Sequence, residues 1–310
     1  MSGLMLLDTP SLYFRAFFGV PESVKAPDGT PVNAVRGLID MIARLVQDRS
    51  PERLVCCMDA DWRPAFRVEA LSSYKAHRVA EDGGDQTPDP LELQLPIIDD
   101  VLDAVGLARV GVPGYEADDV IGTLAVRGAP AGAVDIVTGD RDLFQLVDER
   151  GPVLVLYTAR GIRNLQIMGE KEVAEKYGIP GRGYGDYATL RGDPSDGLPG
   201  VPGIGDKSAA ALITRFGSID GVIEALESGG TEGFPAGARK RLEGARDYLA
   251  AAETVVRVVT DIDSRELRDL DDRLPSSPRD PEALVTLADR WGLESPVNRL
   301  LNALAADRRA

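Results

Sequence analysis

Leu4-Met5-Leu6-Leu7-Asp8 is an apolar run that ends on a carboxylate, and two later stretches repeat the form. Leu54-Val55-Cys56-Cys57-Met58 runs into Asp59. Val134-Asp135-Ile136-Val137 leads through Thr138 and Gly139 to Asp140, with Asp142 two residues on. Short apolar runs of this kind read as buried parallel strands. In open parallel sheets the ligand crevice lies beyond the carboxyl ends of the strands. Acids gathered there repel one another: two unit charges ~4 Å apart cost about 4 kcal/mol at an effective dielectric of about 20. A divalent cation is the expected counter-charge.

Around these runs the pattern alternates. Residues 4–8, 53–59, 134–138 and 153–158 read as strands, and 33–47, 91–105 and 116–126 as amphipathic helices. Strand and helix in alternation indicate a three-layer α/β domain with a mainly parallel sheet. From about residue 170 the reading turns helical, with helices expected at 171–177, 184–190, 208–216, 239–257, 281–291 and 296–306. At 310 residues the chain exceeds the size at which one core keeps growing, so a larger and a smaller domain are expected. No apolar stretch approaches membrane-helix length and no secretory signal is visible, which predicts a cytoplasmic protein. Cys56 and Cys57 are adjacent, point to opposite faces of a strand and read as buried small hydrophobes.

Charge and histidine content exclude several chemistries. The net charge of −15, from 35 basic and 50 acidic residues, argues at face value against nucleic acid. The sum hides local basic runs: Arg63, Arg67, Lys75 and Arg78 within 62–78, and Arg239, Lys240, Arg241 and Arg246 within 239–246. Such a patch can bind phosphate on an otherwise acidic surface, although either run alone reads as a solvated helix face. His77 is the single histidine, which excludes most zinc hydrolase sites and any Ser-His-Asp arrangement. Carboxylates without His or Cys select hard cations, so Mg²⁺ or Mn²⁺ is expected.

Four motifs carry the chemistry. In Tyr115-Glu116-Ala117-Asp118-Asp119, at a helix start, Glu116 and Asp119 are three apart and face one side. Acids there are also ordinary caps, which accounts for one or two of them but not three beside a sheet edge already carrying Asp8 and Asp59. In Thr138-Gly139-Asp140-Arg141-Asp142-Leu143, glycine permits a tight turn that aims Asp140 and Asp142 at the strand ends. Gly192-Asp193-Pro194-Ser195-Asp196-Gly197-Leu198-Pro199-Gly200 is a proline-stiffened loop; alone it reads as a solvent turn, but Asp193 and Asp196 could return over the sheet. Val201-Pro202-Gly203-Ile204-Gly205-Asp206-Lys207-Ser208 has the Gly-x-Gly form that lets backbone approach a phosphate. It is not a nucleotide P-loop, because Lys207 does not follow a glycine and no strand precedes it.

Together these blocks resemble the signature segments of the bacterial 5′-nuclease family, the flap-endonuclease-like group that includes the N-terminal domain of DNA polymerase I. Phe66-Arg67 and Tyr74-Lys75-Ala76-His77-Arg78 resemble the family's basic segment beneath its helical arch, and Val201–Ala210 its helix-hairpin-helix. The likeness runs in order from about residue 4 to 250 and leaves no room for a polymerase domain. It implies a PIN-like α/β nuclease domain over 1–168, with an arch at about 62–90. A helical region over 169–310 follows, with the hairpin module at about 184–216. It implies metal-site carboxylates at Asp8, Asp59, Glu116, Asp118, Asp119, Asp140, Asp142, Asp193 and Asp196. It implies Lys75 and Arg78 on the scissile phosphate, and DNA contacts at Arg15, Arg67, Gly203, Gly205, Lys207 and Ser208. It further implies two or more divalent ions, K⁺ at the hairpin near Val201–Gly205, and a segment 79–90 through which a single strand passes. The expected activity is 5′-flap endonuclease and 5′-3′ exonuclease on DNA junctions in replication and repair. The expected state is a monomer, with no membrane and no nucleotide cofactor. Phe14 stands where many relatives have Tyr, and Gly197 replaces the usual Asn; neither removes a ligand. The alternatives are a junction-binding protein with a vestigial metal site, a small ribonuclease of the toxin type, and a metal-dependent phosphatase. The hairpin and the long helical half speak against the ribonuclease, and the basic segment and the hairpin against the phosphatase.

Overall fold

The computed structural model describes residues 3–80, 83–229 and 232–306. Six strands form one sheet: β1 (Leu4–Asp8), β2 (Arg53–Cys57), β3 (Ala108–Val110), β4 (Val134–Thr138), β5 (Val153–Tyr157) and β6 (Gln166–Met168). Their order is β3-β2-β1-β4-β5-β6. All neighbours run parallel except β6, which closes one edge antiparallel to β5. β1 is central, flanked by β2 through Asp8↔Cys57 and by β4 through Leu7↔Val137. The chain diverges to either side of β1 here, and that is where an open α/β sheet forms its crevice.

Alternation along the strands builds two cores. Leu4, Leu6, Val55, Cys57, Ile136 and Val155 face the helix Ala117–Gly128, and that core continues into the helices Tyr184–Arg191 and Asp206–Phe216. Met5, Leu7, Leu54, Cys56, Val137 and Leu156 face the helices Asn33–Arg49 and Leu95–Val105. Cys56 and Cys57 therefore lie on opposite faces, buried and unpaired. The second core also takes in Leu284, Leu293, Val297 and Leu300, so the last two helices, Pro281–Trp291 and Glu294–Ala306, return to the first half of the chain. Arg299 fastens this return through both carboxylate oxygens of Asp40.

The four expected strands are present, with β2 ending at Cys57 and β5 at Tyr157. Three-residue β3 and β6 are too short to carry a pattern. The helix Thr9–Gly19, directly after β1, was not anticipated; Asp8 caps it and Pro10 sits in its first turn. The single helix expected at 239–257 is two, Ala238–Glu243 and Arg246–Val256, broken at Gly244. Of the described residues in 62–90, expected as a helical arch, only Ala65–Ala70, Ala76–Arg78 and Asp89–Glu92 are helical. Between them the chain turns back on itself, with Ala80 N–H on the Gly84 carbonyl at 2.8 Å and Gln86 N–H on the Arg78 carbonyl at 2.9 Å. Residues 81 and 82 of the segment expected to pass a strand lie outside the described residues.

Candidate active site

Strand ends place the first acids. Asp8, the last residue of β1, accepts from Ser11 N–H at 3.1 Å and from the Thr138 hydroxyl at 2.5 Å. Thr138 ends β4, so this bond ties the two central strands together at the crevice. Asp59, two residues past β2, accepts from Ala117 N–H at 2.7 Å and fixes the start of the helix Ala117–Gly128 beside it. That helix presents Asp118 in its first turn. Asp140 follows Gly139, and its carboxylate accepts from Asp142 N–H at 2.9 Å. Gly139 has a steric reason to be glycine: a Cβ there would lie 2.8 Å from Ser11 Oγ and 3.2 Å from Thr158 Oγ1.

Asp8, Asp59, Glu116, Asp118 and Asp140 line one cleft of about 190 Å³ with Ser11, Phe14, Lys75 and Arg78. Burial pushes the Asp8 carboxyl up to about 7, and Asp59 and Asp140 add like-charge repulsion. Asp118 is also raised, by burial first and then by Asp8 and Asp140. Asp142 and Asp196 share a hydrogen bond just beyond. Burial, then Asp140, raises Asp142; burial raises Asp196 to about 6, against the pull of Lys75. Asp140 thus acts electrostatically on both groups of acids.

The loop 192–200 does return over the sheet, and its anchor is visible. Lys75 N–H donates to the Asp196 carbonyl at 3.1 Å and Ser73 Oγ to the Gly197 carbonyl at 2.9 Å. Gly197 has φ +72°, and a Cβ there would fall 2.1 Å from the Ser73 carbonyl oxygen. Glycine at this position is therefore what lets the loop lie against 73–75.

Three of the expected site residues have buried partners of their own. Asp119 is fully buried and both its oxygens are taken: Arg67 Nη1 and Nη2 donate at 2.8 and 2.6 Å, and Val259 N–H at 2.9 Å. It is the partner of a buried guanidinium and has no face toward the cleft cavity. Arg67 is 3% exposed and also bonds Glu116 and the Val255 carbonyl, so it cannot reach DNA. Asp193 is buried with one oxygen on Ser195 N–H at 3.0 Å and the other toward Arg191 at 3.4 Å, so it holds its own turn. Glu116 does face the cleft, but it accepts from Tyr74 Oη at 2.6 Å, from Arg67 and from Lys75 Nζ. The sequence assigns Tyr74 no role, yet its aromatic body and polar tip suit such a buried contact.

The remaining expected residues are half-buried or exposed. Arg15 lines a groove with Phe14 and Phe18 that continues from the cleft, and its Nε has no hydrogen-bond partner among the described residues. Gly203, Gly205 and Lys207 are exposed and Ser208 half-buried at the start of the helix Asp206–Phe216. Gly203 takes φ +78° and its carbonyl accepts from Arg241 Nη1 at 3.0 Å.

An all-oxygen donor set fits a hard cation. Among the described residues no three acidic, histidine or cysteine side chains converge closely enough to cage an ion unaided. A hard cation held there would complete its shell with water. K⁺ fits the hairpin less well, because the Val201 carbonyl already accepts from Ile204 N–H and the Gly203 carbonyl from Arg241.

Comparison with known proteins decides the family. Residues 3–178 match the 5′-3′ exonuclease N-terminal resolvase-like domain and 179–278 the 5′-3′ exonuclease C-terminal SAM fold. The chain belongs to the 5′-3′ exonuclease family. It is 58% identical over 307 residues to a 5′-3′ exonuclease of Streptomyces coelicolor, covering 97% of this chain and all of that one. It is 49% identical to a 5′-3′ exonuclease of Mycobacterium tuberculosis, covering 98% of each. DNA polymerase I of Mycobacterium bovis is 42% identical over 73% of this chain, which spans only 24% of the polymerase. The fold is shared with bacteriophage T5 D15 flap endonuclease, solved as a pseudo-enzyme-product complex with DNA and metal ions (TM-score 0.62, 17% identity, 99% of each chain). It is shared too with flap endonuclease-1 of Methanococcus jannaschii (TM-score 0.59, 16% identity, 99% and 94%). By family the chain is a 5′-3′ exonuclease, the nuclease that its sequence motifs lead one to expect.

Proposed function

We propose that this nuclease cuts DNA at 5′ ends and 5′ flaps beside a duplex junction, using Mg²⁺ or Mn²⁺, in replication and repair. The observation that carries the reading is the meeting of Asp8, Asp59, Asp118 and Asp140 with Lys75 and Arg78 in one cleft at the carboxyl ends of parallel strands. Asp8, Asp59, Glu116, Asp118 and Asp140 would surround one cation, and Asp140, Asp142 and Asp196 a second, mostly through the ions' water shells. When bound, such ions supply Lewis acidity to the phosphate and lower the pKa of the attacking water. Lys75 and Arg78 are the cations of the cleft wall, and they orient and neutralise the phosphate, Arg78 with its planar fork and Lys75 as a point charge. Arg67 and Asp119 hold Glu116 and the acid-bearing helix in place from behind. Gly203, Gly205, Lys207 and Ser208 would take duplex backbone without reading bases, which supplies register rather than sequence choice. Arg15 would take backbone along the groove. No step depends on K⁺. The reading keeps the division at 168/169 and assigns the last two helices to bracing the first part. It treats the protein as a cytoplasmic monomer; no described helix is long and apolar enough to cross a membrane.

The test is cleavage of a 5′-labelled flap with and without chelator. Mg²⁺-dependent cutting, lost in Asp118→Ala and Asp142→Ala while both variants stay folded, is the expected result. Flap binding without cleavage under any divalent ion would make the site vestigial and overturn the reading.

A further inference from the structure

We propose that Asp85 is a positioning residue for Arg78, setting which edge of its guanidinium faces the cleft; the inference rests on the nuclease reading above. Arg78 ends the short turn Ala76–Arg78 and lines the cleft with Asp59, Glu116, Asp118 and Asp140. Immediately after it the backbone doubles back. Val79 and Asp85 form an antiparallel bridge, and Gln86 N–H closes on the Arg78 carbonyl at 2.9 Å. This pairing delivers the Asp85 carboxylate to Arg78, where it accepts from Nη2 at 2.6 Å and Nε at 3.3 Å. The Trp62 ring lies 5.6 Å from the guanidinium carbon and confines it on another side. Asp85 is 15% exposed and Arg78 36%, so the acid is the held partner and the rest of the guanidinium faces outward.

Guanidinium chemistry makes this arrangement informative. Arg offers five N–H donors in one plane, and two neighbouring donors match two oxygens of a carboxylate or phosphate. Asp85 occupies the Nε/Nη2 edge. The Nη1/Nη2 edge is left, and it is a complete fork for a phosphate in the cleft. A lone Arg on a surface turn would instead lose rotamer freedom each time it met the substrate. Asp85 prepays that ordering and fixes the angle, as preorganised sites require. The acid also has a cost, because a negative charge beside a phosphate site repels DNA. Its two effects therefore separate: removing the charge leaves substrate binding unchanged or tighter and slows the chemical step.

The experiment is single-turnover cleavage of a labelled 5′ flap by the full chain with Mg²⁺, alongside the flap's dissociation constant with Ca²⁺ in place of Mg²⁺. A shift of about 1 Å in a reacting geometry can cost on the order of 100-fold, so a loosened but present guanidinium should cost about ten-fold. Asp85→Asn is expected to slow cleavage by that much with no loss of affinity, and Asp85→Glu to recover most of it. In an Arg78→Ala background, Asp85→Asn should change the rate less than about two-fold, since paired residues are non-additive. Should Asp85→Asn fail to fold, Arg78→Lys carries the test: it keeps the charge, loses the fork and should be slow as well. Cleavage by Asp85→Asn at the wild-type rate or faster would show Asp85 restraining Arg78 and overturn the proposal. So would a loss explained by weaker binding, an equal loss in the Arg78→Ala background, or a full-speed Arg78→Lys. Absence of cleavage by the wild-type chain would instead strike the reading of function itself, and this inference with it.

Discussion

Adjacent acids in this chain have opposite jobs, and Asp118 and Asp119 show it best. Asp118 lines the cleft beside Asp8 and Asp140, while Asp119 is sealed behind it on Arg67. The sequence displays both as carboxylates at a helix start. It does not display the guanidinium that claims one of them, because Arg67 reaches Asp119 only once the sheet has formed. Arg67 is ambiguous for the same reason: a basic residue in a basic run looks like a phosphate ligand, and only the fold shows it buried. Opposite stability effects follow. Removing one partner of a buried ion pair costs about 3–5 kcal/mol, because the other charge is left uncompensated. Asp119→Ala and Arg67→Ala are therefore each expected to lower the unfolding free energy by about that amount in urea titration. Asp118→Ala removes a charge that burial and its neighbours disfavour, and metal-free stability should hold or rise while cleavage is lost. Unchanged stability in Asp119→Ala would show that the pair is not what holds the helix start.

At the scale of elements, periodicity reported the long pieces and missed those defined by contact. The four core strands were legible because each is an apolar run bounded by a turn. β3 and β6 have three residues each and exist through their neighbours' hydrogen bonds. The helix Thr9–Gly19 carried its own signal, a capping Asp8 followed by Pro10, but the apolar strand beside it dominated the reading. The acidic loop was the hardest element to place, since its composition is that of a solvent turn. Its anchor is Gly197 against Ser73, a contact across more than a hundred residues that no local pattern encodes. Gly197→Ala tests it. The added Cβ meets the Ser73 carbonyl at 2.1 Å, and φ +72° is itself unfavourable for alanine. The loop must shift, taking Asp196 from Asp142 and Lys75. Cleavage is expected to fall by on the order of ten-fold to 100-fold, as for a misplacement of about 1 Å. The melting temperature should fall modestly, because the loop packs through Leu198 against Tyr74 and Val255 and not against the strands; an unaltered cleavage rate would show that the loop does not set the site.

Over the whole molecule, the charge distribution resolves the tension between a net charge of −15 and a DNA-cutting enzyme. Five of the acids, Asp8, Asp59, Glu116, Asp118 and Asp140, meet in the cleft, and the exposed hairpin residues Gly203, Gly205 and Lys207 offer backbone and a positive tip elsewhere. The metal-free site is therefore under electrostatic load, and its sign can be worked out. Asp8 titrates near 7 in the folded chain and Asp196 near 6, against 3.8 for an unperturbed aspartate. Between these values the folded state binds more protons than the unfolded state, so stability falls as pH rises. For these two groups the loss begins near the unperturbed value and is complete once pH has passed about 7, and Asp118 and Asp142, also raised, act in the same direction. Exposed groups with lowered values, such as Asp28 and Glu266, act in the other direction but lie in open solvent, where screening makes their contribution small. In chelator, the protein is expected to melt at a higher temperature at about pH 5 than at about pH 8. Divalent cation should raise the melting temperature at the higher pH much more than at the lower, because ligand carboxylates must first lose their protons. In Asp8→Asn the pH dependence in chelator should shrink, as one of the groups that titrate in the window is gone. Equal melting temperatures at both pH values in chelator, with no larger gain from Mg²⁺ at the higher one, would mean that these carboxylates are not crowded in the folded chain, and the cleft would lose its claim to bind cations.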